Sequence, residues 1–64
     1  MRIEIEREDD GRWIAEVVDL PGVLVYGATR AEAVGRAEAL ALRVLADRLE
    51  NGDRSPAVDA LFAA

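Results

Sequence analysis

The sequence predicts an α+β domain: three short antiparallel strands in a meander, then one long helix, then a short tail helix. Three observations carry this prediction. The N-terminus alternates with period 2, two glycine-bearing turn signals separate β-like runs, and a helix-capping pair precedes a long apolar-periodic segment.

The opening run Met1-Arg2-Ile3-Glu4-Ile5-Glu6-Arg7 puts Met1, Ile3 and Ile5 on one side and Arg2, Glu4 and Glu6 on the other, as a half-buried strand requires. Asp10-Gly11 marks a hairpin turn, because glycine tolerates positive φ. A second strand over about 12–18 sets Trp13, Ala15 and Val17 against Ile14, Glu16 and Val18, so its outer face is only partly polar. Leu20-Pro21-Gly22 then suits a type II turn, with Pro presetting φ and Gly permitting the reversal. A third strand is expected over about 23–26.

Thr29 followed three residues later by Glu32 is a capping box, so a helix is expected from Arg30 to about Glu50, with Asn51-Gly52 as its stop. At 100° per residue, Glu32, Arg36, Arg43, Asp47 and Glu50 gather on one narrow wet side. The rest of the circumference is mostly Ala, Val and Leu, wider than one sheet can cover. A second contact surface is therefore expected, supplied by the tail or by another chain. In the tail, Ser55 as N-cap and Pro56 at the first helical position favour a short helix over 56–63, with Val58, Leu61 and Phe62 on one face.

These elements fit one domain over 1–64, and a chain this short buries only about 60% of its unfolded surface, so oligomerisation is the expected stabiliser. The sequence holds no His and no Cys, which removes disulfides, imidazole or thiolate metal ligands and His- or Cys-based catalysis. No apolar run approaches the roughly 18 residues of a membrane span, and Met1-Arg2-Ile3-Glu4 lacks the plan of a signal peptide, so a soluble, cytoplasmic chain is expected.

Each candidate site has a structural counterpart. Glu4, Glu6, Glu8, Asp9 and Asp10 resemble a Mg²⁺-binding cluster in composition, but a wet strand face and a turn do not enclose a pocket, and they read as a solvated surface. Trp13 and Tyr26 are the residue types that stack on bases, yet 13 acidic against 8 basic residues give a formal charge of −5 and no basic stripe. Trp13 reads as core, and Tyr26 as core or interface rim. Gly27-Ala28-Thr29 could receive an anion at the helix start, where Glu32 is expected instead. No catalytic residue, metal or cofactor is expected, and neither is direct DNA or RNA binding.

Taken in order, Asp10-Gly11-Arg12-Trp13-Ile14-Ala15, Asp19-Leu20-Pro21-Gly22-Val23 and Gly27-Ala28-Thr29-Arg30-Ala31-Glu32-Ala33 resemble the motifs of the HicB-like antitoxin family, over about residues 3–52. The resemblance implies a β-β-β-α unit related to part of the ribonuclease-H-like fold. It also implies a role as the antitoxin half of a HicA/HicB pair, occluding a small, basic, RNA-cleaving toxin. Family members commonly append a DNA-binding segment, and eleven residues follow Asp53 here. Ala28 stands where the family often has an acidic residue.

The expectation is thus a non-catalytic interaction module that self-associates as a dimer or higher homo-oligomer and binds a HicA-like toxin. The alternative is a self-associating structural module with no toxin partner. Expected partner contacts are Glu4, Glu6, Glu16, Leu20, Pro21, Gly22 and Tyr26, and the expected oligomer face is Leu42, Ala46 and Leu49.

Overall fold

In the computed structural model, which describes residues 1–62, the strands are β1 (Ile3–Arg7), β2 (Trp13–Val17) and β3 (Leu24–Gly27), and the helices are α1 (Arg30–Glu50) and α2 (Pro56–Leu61). The sheet order is β1-β2-β3, antiparallel throughout. This is the α+β meander-plus-helix architecture expected from the alternation and turn signals.

Each turn is closed by the residue its conformation needs. Gly11, at φ 89°, follows a turn in which its N–H donates to Glu8 O at 2.9 Å. At the second reversal the Val23 N–H donates to Leu20 O at 3.1 Å across Pro21 and Gly22, with Gly22 at φ 89°, which is the type II arrangement. That bond draws Val23 into the turn, so β3 begins at Leu24 instead of 23 and runs on through Gly27, which pairs with Trp13.

Thr29 Oγ1 accepts from the Glu32 N–H at 3.0 Å, and Glu32 Oε1 accepts from the Ala28 N–H at 3.3 Å. The reciprocal half of the capping box thus falls one residue earlier than the usual pattern, which targets the cap residue itself. At the other end the Asp53 N–H reaches Arg48 O at 2.8 Å and the Gly52 N–H reaches Leu49 O at 3.0 Å, a Schellman closure around Gly52 at φ 80°.

The core lies between the inner sheet face and one line of α1. Ala33, Ala37, Ala41 and Leu45 recur every four residues and are buried against Ala15, Val17 and Val23, with Ile3, Ile5, Trp13 and Val25 packed around them. Three alanines in that line let the helix approach the strands closely. A helix of 21 residues is about 31 Å long, whereas a five-residue strand spans about 17 Å, so α1 outruns the sheet. The molecule is accordingly elongated, 42 × 20 × 15 Å.

The overhang is partly covered by α2, which buries Val58 beside Leu45 and Leu20. The tail helix ends at Leu61, short of the expected 63: Phe62 is extended, at φ −122° and ψ 115°, and residue 63 lies outside the described residues. Of the expected tail face only Val58 is buried, while Leu61 and Phe62 are 53% and 63% exposed. Ser55 takes N-cap backbone angles, but its side chain makes no capping bond.

Candidate functional site

Covering one sheet face with α1 leaves the other bare. The register aligns two cross-strand rows on that outer face: Glu4, Glu16 and Leu24, then Glu6, Ile14 and Tyr26. Carboxylates dominate the β1 side and apolar groups the β3 side, with Leu24 and Tyr26 44% and 40% exposed. Between them lies a shallow depression of about 230 Å³ lined by Glu4, Ile5, Glu6, Ile14, Glu16 and Leu24.

Glu4 and Glu16 face each other directly, an unfavourable placement for like charges. Arg2 relieves one of them through a 2.8 Å ion pair to Glu4. Glu16 has no ion pair among the described residues. The Arg12 guanidinium stacks 4.5 Å from the centre of the Tyr26 ring, fixing the phenol at the rim of the face. Arg12 is held from behind by Asp10, whose carboxylate accepts from the Arg12 N–H at 3.0 Å and from Nε at 2.7 Å. Those contacts, the backbone bond foremost, hold the Asp10 carboxyl below its ordinary 3.8.

Charge is unevenly shared along the chain. Residues 1–29 contain seven carboxylates and three arginines, a formal −4 of the total −5. Residues 36–50 of α1 contain three of each sign and are neutral. Negative potential therefore belongs to the strands and their turns.

Compared with protein-family models, curated proteins and solved structures, the chain finds no match.

Among the expected contact residues, Glu4, Glu6, Glu16 and Tyr26 come together on the outer face, and Pro21 and Gly22 are exposed at the second turn. Leu20 is a correction. It is 2% exposed, turned inward to plug the core beside Val58, and its side chain has no surface to offer a partner. Ile14 and Leu24 are the members that sequence reasoning passed over. Period-2 spacing back from Tyr26 gives Leu24, and from Glu16 gives Ile14, so the signal was present in the strands themselves.

The expected oligomer residues form a second surface. Leu42 is 57% exposed, Ala46 is exposed and Leu49 half-buried; with Leu45, Val58, Leu61 and Phe62 they line an apolar groove of about 200 Å³ between α1 and α2. A third depression of about 400 Å³, lined by Met1, Asp19, Leu20, Arg48, Ser55, Pro56 and Ala57, sits at the end of the core that Leu20 closes. Among the described residues no group of three or more acidic side chains is placed to hold a metal ion, and no helix is long and apolar enough to cross a membrane.

Proposed function

We propose that this chain is a non-catalytic, HicB-like antitoxin module whose outer sheet face binds and occludes a small basic HicA-like RNA-cleaving toxin. One observation carries the reading: the two-row face on which Glu4, Glu6 and Glu16 lie beside exposed Leu24 and Tyr26. Its apolar half supplies desolvated contact area. Its carboxylates supply the sign that speeds encounter with a basic surface and competes for the groups that hold RNA phosphates. Neutralisation by this route makes and breaks no bond. The motif order from Asp10 to Ala33 supports the same reading.

Co-expression with a small basic HicA-like protein, sought in the adjacent reading frame, followed by growth rescue and co-purification, tests the proposal. Rescue that is lost on Glu4→Lys/Glu16→Lys supports the acidic face; no rescue together with no co-purification overturns it. A second reading, a self-associating module with no toxin partner, is favoured by the exposed Leu42, Leu61 and Phe62 on the helical side. It predicts an oligomer in solution and no rescue.

A further inference from the structure

The helical side of the molecule carries an unpartnered feature. Gly35 sits inside α1, where glycine costs roughly 0.5–1 kcal/mol relative to alanine, and a Cβ built there meets nothing within 4 Å. Among the described residues nothing requires that glycine. It lies seven residues before Leu42, which lies seven before Leu49, so the three share one seam along the helix. Ala31, Ala39 and Ala46 flank this seam, with Glu38 bordering it on one side and Glu32, Arg36, Arg43 and Glu50, two of each sign, on the other. The seam tapers: its N-terminal half is Ala31, Gly35 and Ala39, and its C-terminal half is Leu42 and Leu49 with Leu61 and Phe62 alongside.

We propose that this face receives a second copy of the same chain, α1 against α1 in antiparallel orientation about a two-fold axis near Leu42. A two-fold contact must be self-complementary. Antiparallel crossing lays the bulky end of each seam on the small-residue shelf of the other. A parallel crossing sets shelf against shelf and leaves a gap. Charge permits the approach of an identical chain here and opposes it on the sheet: residues 36–50 are neutral, whereas residues 1–29 carry −4.

The area lies near the lower bound for a specific contact. With Leu42, Leu61 and Phe62 at 57%, 53% and 63% exposure, and about 150–200 Å² for a large apolar side chain, each copy offers on the order of 300 Å² before the alanines are added. Two copies approach the roughly 700 Å² of apolar surface in an interface of about 1,200 Å² total, the lower bound for a specific one. Such a contact covers about an eighth of each 4551 Å² surface.

The proposal rests on the self-association reading and adds to it the small-residue shelf at Gly35 and the antiparallel orientation. Sedimentation velocity from 1 to 100 µM is expected to show a dimer for the wild type. Leu42→Glu and Gly35→Leu should each weaken it at least tenfold, with helical circular dichroism retained, and Leu24→Glu on the sheet should leave it unchanged. Gly35→Leu raises helix propensity, so loss of the dimer in that variant does not come from unfolding. The chain has no cysteine, so Ala39→Cys/Ala46→Cys reports orientation cleanly: oxidation should cross-link the double variant and neither single one. A monomeric wild type at 100 µM overturns self-association itself. A dimer indifferent to Leu42→Glu and Gly35→Leu overturns this face while leaving self-association standing, and cross-linking of Ala46→Cys alone overturns the antiparallel arrangement.

Discussion

Between Gly27 and Ala33 the end of β3 meets the first turn of α1 too closely for any side chain: a Cβ on Gly27 falls 2.5 Å from the Ala33 nitrogen and 2.9 Å from its Cα. The obstruction is helix backbone, which cannot rotate away. Gly27 is also not among the positive-φ glycines, so what it supplies is space and not an unusual dihedral. Gly27→Ala should therefore push the helix off the sheet at the point where its registry over Ala15 is set. We expect a loss of about 1–3 kcal/mol, read as a fall in the urea midpoint. Gly35→Ala is the matched control, since its Cβ meets open space, and in the monomer it should gain roughly 0.5–1 kcal/mol. Equal effects at the two glycines would show that the close approach is not structural.

The helix entry gives a second test. Thr29 Oγ1 satisfies the Glu32 N–H, and Glu32 in turn holds both the Ala28 N–H and the Arg36 guanidinium, the latter at 3.0 Å. Arg36 also donates to the Tyr26 carbonyl at 2.9 Å, tying the cap to the last strand. Thr29→Ala should cost about 1 kcal/mol in thermal or chemical unfolding, and Thr29→Asp should restore most of it. If Thr29→Asp is as unstable as Thr29→Ala, the side-chain bond is not what starts α1.

Asp10 predicts a pH dependence of definite sign. Its carboxyl is held below the ordinary 3.8, first by the Arg12 N–H and then by the Arg12 side chain. A depressed value in the folded state contributes stability that is complete above 3.8 and disappears as pH falls below it through the folded value. Wild type should therefore be more stable than Asp10→Ala at pH 6, with the difference shrinking below pH 3.8. Because the group lies at the surface, the effect should also weaken in high salt. A difference that persists unchanged at pH 2.5 would assign the effect of Asp10 to turn geometry and not to its charge.

Much of this architecture was legible because local chemistry and tertiary structure agree in it. Gly11, Pro21-Gly22, Thr29 and Gly52 each act within a few residues of themselves, and each element begins or ends where they direct. The excess apolar girth of α1 was legible too, as the exposed Leu42 shows. What stayed hidden depends on partners distant in sequence. Leu20 resembles a loop residue until α2 folds over the end of the core and makes it a plug beside Val58. The role of Gly27 needs the position of Ala33, and the pairing of Glu4 with Glu16 needs the register.

That last pair separates stability from binding. Glu16 stands opposite Glu4 with no cation of its own among the described residues, an arrangement that folding alone disfavours by a few tenths of a kcal/mol on an exposed sheet. A surface kept for a basic partner has a reason to tolerate it, whereas a purely structural face has none. Glu16→Arg should convert the repulsion into an attraction across the strands and raise the unfolding midpoint slightly. The same change reverses charge at the centre of the outer face, between Glu4 and Leu24, and should weaken binding of the proposed basic partner at least tenfold. Glu16→Gln should fall between the two in both measurements. Stability and binding moving in opposite directions marks the outer face as the working surface; a variant that binds as tightly as the wild type removes Glu16 from the site.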